Sequence, residues 1–444
     1  MANRQEKIRL GAFLPGAGQH IAAWRHPESA KDQVLDIRYY QQLAKTAERG
    51  LFDAFFLADG LALYTRNGTF SRTAFGIGFE PVTLFAALAT VTEHLGFVAT
   101  ASTTYEDPYL LARKFASLDH ITGGRAAWNL VTTESDEAAQ NFSLQQHPDH
   151  AERYRRAEEF YDVVTGLWDG WEEGALVADV ERAIFVDPQK VHRLDHNGKY
   201  YRVRGPLNVP RSPQGRPVVV QAGSSEAGRE LAGRTAEVIF TAQQTLDEAK
   251  AFYSDVKGRL AKYGRSPADL KIMPGVQPYV ARTEAQAKAK YDELQELIHP
   301  DAGLGLLSGL TGGLVDLSKY DSDSPLPELP VTNNNRSRQA LVYEIARSRG
   351  FTIRELYKWV AGARGHWTIV GSPKQIADQL EEWFTSEAAD GFNIMPPVLP
   401  RDIDDFVNLV VPELQRRGLY RTAYEGATLR ENLGLKAVAS AKAA

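Results

Sequence analysis

The chain has 444 residues, a net charge of −5 and an isoelectric point near 6.1, and 43% of its residues are hydrophobic. This composition is ordinary for a water-soluble globular protein, whereas a general nucleic-acid-binding protein would carry a basic face. No apolar run approaches the ~20 residues that a membrane-spanning helix needs, and the N-terminal segment lacks the apolar core of a signal peptide. We therefore expect a cytoplasmic protein that binds neither nucleic acid nor membrane. The absence of cysteine excludes disulfides, thiolate catalysis and cysteine-ligated metal centres.

Short apolar segments alternate with segments of helical periodicity along almost the whole chain. Strands are predicted at residues 8–14, 52–58, 96–102, 125–132, 218–221, 238–241, 270–280 and 391–395. Helices are predicted at residues 36–49, 82–95, 109–121, 152–168, 225–232, 246–263, 284–298, 372–387 and 403–417. Near-continuous apolar strands that alternate with amphipathic helices indicate a parallel sheet covered on both faces. Eight such strands with helices between them predict a (β/α)8 TIM barrel of the α/β class.

Two stretches interrupt this alternation. Residues 170–216 are irregular and rich in Asp, Gly, Pro and Arg, and residues 299–365 contain Gly-rich and Asp/Ser/Pro-rich parts. We interpret both as insertions in a single barrel domain that spans residues 1–437, and the second as a candidate lid over the barrel. Residues 438–444 have mostly small side chains, which predicts a disordered tail.

The segment 217–228 contains the most informative local pattern. A short apolar strand runs into Gly223, two hydroxyl residues follow as Ser224 and Ser225, and a helix begins. A helix N-terminus has unpaired backbone N–H groups and a positive dipole end, so it binds anions such as phosphate. The competing interpretation is that a serine here only caps the helix, which is the commoner role of such a residue.

Further polar residues fall where the predicted strands end. Asp59 follows the second strand, Thr100 lies near the end of the third, and Asn129 lies in the fourth. The active site of a TIM barrel is built at the carboxyl ends of its strands, so these side chains are expected to share one face. Any one of them alone is as easily a cap or turn residue.

A third group precedes the helix at residues 152–168. His150 and Tyr154 are four residues apart and share a helix face if the helix begins at His150. His147 and His150 are three apart, a spacing that raises the question of a metal. However, Pro148 lies between them and no carboxylate completes a recognised ligand motif, so no metal site is predicted.

Several segments resemble the bacterial-luciferase-like flavin monooxygenases. Residues 52–60 and 80–82 carry the general resemblance, and residues 112–132 resemble the branch of nitrilotriacetate, EDTA, long-chain alkane and dibenzothiophene-sulfone monooxygenases. The match continues at residues 150–154, 190–192, 204–206, 210–215, 221–225, 389–392, 411–414 and 428–430. The resemblance therefore covers nearly the whole chain.

This resemblance implies an enzyme that takes reduced FMN (FMNH2) from a separate NAD(P)H:flavin reductase and uses O2 to oxidise a small organic or organosulfur substrate. The FMN contacts would fall on Asp59, Thr100, His150, Tyr154, Ser224 and Ser225, and the residues nearest the chemistry would be Asn129 and His150. The family further implies a homodimer or homotetramer. Two alternatives stay open, a deazaflavin-dependent oxidoreductase and a non-catalytic flavin-binding protein.

Overall fold

The computed structural model describes residues 6–63, 65–66, 69–70, 76–133, 135–332 and 336–439. Its strands are β1 Arg9–Phe13, β2 Ala54–Leu57, β3 Thr65–Arg66, β4 Thr69–Phe70, β5 Gly96–Ser102, β6 Ala126–Val131, β7 Leu176–Asp179, β8 Ile184–Val186, β9 His196–Asn197, β10 Arg202–Val203, β11 Val218–Gln221, β12 Val238–Thr241, β13 Lys271–Val280, β14 Trp367–Gly371 and β15 Gly391–Ile394. Its α-helices are α1 Ile37–Arg49, α2 Pro81–Leu88, α3 Pro108–Thr122, α4 Asp136–Asn141, α5 His150–Asp169, α6 Glu226–Thr235, α7 Leu246–Arg259, α8 Glu284–Glu296, α9 Pro300–Leu310, α10 Arg336–Arg349, α11 Ile353–Ala363, α12 Pro373–Thr385, α13 Arg401–Asp405, α14 Val411–Arg416 and α15 Leu429–Asn432.

Eight of these strands close into a parallel barrel in the order β1, β2, β5, β6, β11, β12, β13 and β15, with β15 pairing back to β1. Each barrel strand lies within two residues of a predicted one. The (β/α)8 barrel prediction is thus confirmed. The register sets Asn129 of β6 beside Thr100 of β5 and Val220 of β11, so side chains from three strands meet at one height.

The barrel interior is apolar, and the C-terminal segment covers its bottom. Phe13, Phe56 and Phe240 pack edge to face with ring centroids 4.9–5.6 Å apart, in one buried cluster with Leu429 and Leu433 of the C-terminal segment. The Leu429 N–H donates to the Gly124 carbonyl, which precedes β6, at 3.0 Å. The carboxyl ends of the strands are therefore the side available for a site.

A buried ion pair ties the C-terminal segment to the barrel bottom. The Arg421 guanidinium lies 2.6 Å from the Asp53 carboxylate, and each side chain is 1% exposed. The other Asp53 oxygen accepts from the Leu10 N–H at 2.8 Å, and Arg421 also donates to the Asn432 carbonyl. The two bonds of Asp53 join β1, the start of β2 and the C-terminal segment, so this group ties three remote parts of the chain together.

Sequence reasoning missed one strand of the sheet. β14 pairs in parallel with the outer half of β13, from Val276 beside Trp367 to Val280 beside Gly371, and adds a ninth strand outside the closed ring. The strand is short, and its alternate residues are exposed or half-buried, so it lacks the continuous apolar run that marked the other strands.

Three predicted helices differ in extent or continuity from the observed ones, and the helix predicted at 246–263 ends as α7 at Arg259 and continues as a 3₁₀ turn to Tyr263. The helix predicted at 82–95 ends as α2 at Leu88 and continues only as a 3₁₀ turn to Val91, where β-branched residues disfavour a helix. The helix predicted at 403–417 is divided by a π-helical turn at Phe406–Val410, and Pro412 follows it. Proline has no N–H to donate, so the regular i to i−4 bonding cannot continue through that position.

The two segments interpreted as insertions have different structures. Residues 170–216 contain the antiparallel pairs β7–β8 and β9–β10, whereas residues 299–365 contain α9, α10 and α11. Of the tail predicted at 438–444, residues 440–444 lie outside the described residues, and the Val438 carbonyl accepts a bond from Arg211 at 2.6 Å. No helix among the described residues is long and apolar enough to cross a membrane.

Candidate active site

A cavity of about 1540 Å³ opens at the carboxyl ends of the barrel strands. Its floor is formed by Phe13, Phe56, Phe240 and Met395, and residues of α9 and α10 cover it from above. The structure brings all the predicted site residues to this cavity, namely Asp59, Thr100, Asn129, His150, Tyr154, Ser224 and Ser225. Their roles toward a cofactor remain predictions, but the expectation that they share one face agrees with their positions.

Asn129 and Thr100 form a hydrogen-bonded chain on the barrel rim. Asn129 Nδ2 donates to Thr100 Oγ1 at 2.8 Å, and Thr100 Oγ1 donates to the Leu57 carbonyl at 2.8 Å. Asn129 Oδ1 is buried and has no hydrogen-bond partner among the described residues. Because an unsatisfied buried acceptor costs about 1–3 kcal/mol, this oxygen marks a place where a ligand donor is expected.

Asp59 is half-buried beside two other acids. Burial, with repulsion from Glu80 and Glu106, raises the pKa of Asp59 to about 6, although the Gly60 N–H opposes this shift. Its carboxylate therefore changes charge just below neutral pH, where an ordinary aspartate would already be ionised.

The turn after β11 brings a helix N-terminus to the cavity. Ser225 is the N-cap of α6, and its hydroxyl accepts from the Gly228 N–H at 3.2 Å, while Ser224 Oγ lies 3.3 Å from Thr241 Oγ1. A Cβ added at Gly223 would lie 3.1 Å from the Gly228 Cα and 3.5 Å from the Tyr154 hydroxyl. The turn therefore folds closely onto its own helix, and a side chain at Gly223 would fill the cradle beside Tyr154.

A second helix begins at the same place. His150 is the first residue of α5, and its ring centroid lies 4.8 Å from that of Tyr154, as their spacing of four predicts. A smaller cavity of about 660 Å³ on the outer side is also lined by His150 and Ser225, together with Lys262. The N-termini of α5 and α6 thus meet at one end of the main cavity, an arrangement that suits a dianionic phosphate.

A buried polar network holds the start of α5, and sequence reasoning missed it. The His147 ring accepts from the Tyr105 hydroxyl at 2.6 Å and donates to the Thr133 carbonyl at 3.1 Å, and Arg153 donates to the same carbonyl at 2.7 Å and lies against the ring. Burial and the nearby Arg153 lower the pKa of His147 to about 4, so the ring stays neutral.

In the described part of the chain, no group of three or more His, Asp or Glu side chains is arranged to hold a metal ion.

Sequence reasoning also missed three residues of the covering segments that line the cavity, Arg338, Arg364 and His366. Arg338 of α10 donates to His366 Nε2 at 2.7 Å, and the His366 ring stacks on Phe240 with centroids 4.7 Å apart. Arg364 donates to Gln19 Oε1 at 2.7 Å. No periodicity signals them, because they come from α10 and from the short segment that precedes β14.

The model of the luciferase-like monooxygenase family matches residues 17–390. Nitrilotriacetate monooxygenase component A of Aminobacter aminovorans is 54% identical, with 98% of this chain and 97% of that protein covered. The N-acetyl-S-(2-succino)cysteine monooxygenase of Bacillus subtilis is 52% identical, with 98% of each chain covered.

A solved structure agrees with these sequence matches. The crystal structure of a riboflavin lyase with modified FMN and riboflavin superposes with a TM-score of 0.87 at 33% identity, covering 97% of this chain and 96% of that one. At this coverage the likeness extends over the barrel and over the helices that cover it. The chain therefore belongs to the luciferase-like monooxygenase family and is an enzyme with flavin-dependent monooxygenase activity.

Proposed function

We propose that the protein is the oxygenase of a two-component system that receives FMNH2 from a separate NAD(P)H:flavin reductase and oxidises a small organic substrate with O2. The observation that carries the proposal is one cavity lined by every residue expected to contact the flavin. Its volume of about 1540 Å³ exceeds the roughly 300–1,000 Å³ of a pocket for one small ligand. It therefore has room for a flavin and a substrate together.

The donor set fits FMN at both ends of the molecule. The N-termini of α5 and α6, with Ser224, Ser225 and Tyr154, would hold the phosphate, which carries about −1.5 to −2 charge at neutral pH. Asp59, Thr100 and Asn129 would face the ring system along β2, β5 and β6, where Asn129 Oδ1 has no bond to protein among the described residues. A relative whose solved structure holds modified FMN supports this assignment.

Reduced FMN, when bound, supplies the electrons with which one oxygen atom of O2 is transferred to the substrate. The protein's own residues have three tasks around it. Asn129 and Asp59 orient the ring through hydrogen bonds, and the apolar floor of Phe13, Phe56 and Phe240 excludes water below it. The helices α9 and α10 cover the cavity and limit solvent access from above, as expected of a lid.

The names of the two sequence relatives suggest substrates to test first. One is named for nitrilotriacetate and the other for a succinylated cysteine. Oxygen insertion next to nitrogen or sulfur in such molecules would lead to cleavage of a C–N or C–S bond. We include this reaction class in the proposal, and we expect a homodimer or homotetramer in solution, to be checked by light scattering.

Oxygen consumption tests the proposal directly. The purified protein, an FMN reductase, NADH and a panel of nitrilotriacetate, N-acetyl-S-(2-succino)cysteine, dibenzothiophene sulfone and an alkane should give one product heavier by oxygen or cleaved at the oxidised atom. The mass spectrum identifies the product, and ¹⁸O2 assigns its oxygen. Tight binding of a reduced deazaflavin, but not of FMNH2, would contradict the proposal and favour hydride transfer. Flavin binding without any product would favour a non-catalytic role.

A further inference from the structure

The two helices at the candidate phosphate site are held in different ways. α6 begins at Glu226, directly after the short turn that follows β11, so a barrel strand fixes its start. α5 begins at His150, and residues 132–149 separate it from the end of β6. So long a connection does not fix where the next helix begins, because long loops are where a chain has most conformational freedom. The start of α5, which carries His150 and Tyr154, therefore needs another anchor.

Arg153 supplies that anchor from near the start of α5. Its side chain is buried, and its guanidinium donates to the Thr133 carbonyl at 2.7 Å, just beyond the end of β6. His147, which precedes α5, donates to the same carbonyl at 3.1 Å, and the Tyr105 hydroxyl donates to the other nitrogen of that ring at 2.6 Å. One backbone oxygen thus receives two buried donors, one from the helix and one from the connection that leads into it.

The residue that accepts these bonds has an unfavourable backbone conformation. Thr133 has φ of +53°, in the left-handed region that a β-branched residue very rarely adopts. Its hydroxyl donates to the Ser102 hydroxyl, at the end of β5, at 2.6 Å. Such a conformation persists only where the surrounding contacts determine it, and conformations of this kind cluster at functional sites. The bonds of the Thr133 side chain and carbonyl together keep that carbonyl directed at α5.

The strands that hold this group also carry the proposed contacts to the flavin ring. Thr100 and Ser102 both belong to β5, and Asn129 belongs to β6, which ends just before Thr133. The group therefore connects the start of α5, at the phosphate end, to the strands of Thr100 and Asn129, at the ring end. It fixes the separation between the two ends of the site. We call it the α5 clamp, and it consists of Ser102, Tyr105, Thr133, His147 and Arg153.

From these observations we propose that Arg153 is a positioning residue, and that the α5 clamp selects flavin phosphates by the length of the chain between ring and phosphate. In FMN a ribityl chain of five carbons spans that distance. Hydrogen bonds from N–H to oxygen need donor and acceptor within about 2.7–3.2 Å, so a phosphate on a shorter or longer chain would lose bonds at the helix N-termini. This inference rests on the proposed function and adds to it how the cofactor is selected.

Anaerobic fluorescence titration tests this selection without turnover. The probes are reduced flavins whose unbranched N10 chain has four, five or six carbons and ends in a phosphate, so that they differ in length alone. Wild-type protein should bind the five-carbon probe at least about tenfold more tightly than the other two, the ratio expected for the loss of one charge-assisted hydrogen bond. Arg153→Met frees the start of α5, so the three dissociation constants should come within about threefold of one another.

Three further variants separate positioning from general support of the fold. Arg155→Met removes an exposed arginine of the same helix and should keep the wild-type preference for the five-carbon probe. Tyr105→Phe keeps the ring that stacks on Phe142 and removes only the hydroxyl that holds His147, so the preference should fall part of the way in a folded protein. Arg153→Lys, which keeps a charged donor, should restore part of the preference that Arg153→Met loses.

The absence of a length preference in the wild type overturns the proposal. So does a preference that persists in Arg153→Met while all three affinities fall together, because the arginine would then support the fold or attract the charge only. An equal loss of preference in Arg155→Met also overturns it. If Arg153→Met does not fold, Tyr105→Phe decides, and an undiminished preference in it is contrary to the proposal. Failure of the wild type to bind FMNH2, which is measured first, would instead contradict the proposed function.

Discussion

Among the described residues, the Asn129 side chain makes one hydrogen bond, through its Nδ2, and its buried Oδ1 has no partner. If that oxygen receives a donor from the reduced flavin, its loss should loosen the ring and admit water. We therefore expect Asn129→Ala to raise the fraction of consumed O2 that is released as hydrogen peroxide, relative to product. Peroxide and product are measured in the same reaction. Asn197→Ala, in the exposed strand β9, is the control, and equal coupling in both variants would remove Asn129 from this role.

Asp59 makes flavin binding depend on pH. Its pKa is raised to about 6, so the carboxylate is ionised at pH 7.5 and mostly protonated at pH 5. An ionised carboxylate is the stronger acceptor, so affinity for oxidised riboflavin, whose ring does not ionise in this range, should fall as the pH drops through 6 and should stay flat in Asp59→Asn. Riboflavin replaces FMN in this titration because a phosphate also titrates near pH 6. The same pH dependence in the variant would exclude Asp59 as its source.

The same raised pKa affects stability in a defined direction. Because folding disfavours the charged form of Asp59, the folded protein loses stability as the pH rises from the ordinary aspartate range near 4 to about 6. Asp59→Asn removes the repulsion from Glu80 and Glu106. Its melting temperature should therefore vary less over that interval than the wild type's.

Sequence reasoning located the residues at strand ends but not those of the covering segments. In a TIM barrel the site lies at the carboxyl ends of the strands, so the positions of Asp59, Thr100 and Asn129 at the cavity could be predicted from the strand assignment alone. Arg338 and Arg364 obey no such rule, because they reach the cavity only through the packing of α10 and α11. Arg153 resembles any helical arginine in sequence, and only the fold reveals that it is 2% exposed and bound to His147.

At the scale of elements, the start of α6 allows a test of the phosphate site that leaves the helix intact. Aspartate caps helices as well as serine does, so Ser225→Asp should keep α6 while it places a negative charge beside the phosphate. We expect FMNH2 affinity to fall at least about tenfold by Coulomb repulsion. Affinity for reduced riboflavin, which lacks the phosphate, should be unchanged.

Ser225→Asn is the matched control, since asparagine also caps without charge. It should bind FMNH2 nearly as the wild type does. If Ser225→Asp retains FMNH2 as tightly as Ser225→Asn, the phosphate does not lie at this helix, and the capping interpretation of Ser225 would be sufficient.

Elements were predictable where periodicity was long and uniform. The barrel strands are buried on both faces and appear in sequence as continuous apolar runs, as in β11 and β12. β14 is a half-exposed strand of only five residues, so its sequence shows no continuous apolar run. It was not predicted, because it lies between an irregular segment and a well-capped helix. The π-helical turn before Val411 also has no periodic signal, because it depends on where one proline interrupts the bonding.

At the scale of the whole molecule, the buried Asp53–Arg421 pair ties the C-terminal segment to the barrel bottom. Asp53 and Arg421 are each 1% exposed, and removing one partner of such a buried pair costs about 3–5 kcal/mol. We expect Arg421→Met to lower the free energy of unfolding by that amount in urea titrations. Lys374→Met removes the Lys374–Asp378 pair, whose side chains are 75% and 43% exposed, and should cost under about 1 kcal/mol. Equal losses of unfolding free energy in Arg421→Met and Lys374→Met would show that the buried pair stabilises the protein no more than the exposed pair does.

The covered bottom of the barrel also decides how the enzyme can be immobilised. Leu429 bonds the backbone that enters β6, and Glu6 pairs at 3.0 Å with Lys271, the first residue of β13. Both ends of the described chain thus lie on the face opposite the cavity mouth. A linker attached after residue 439 would fix the molecule to a bead or an electrode with the cavity mouth directed away from the support.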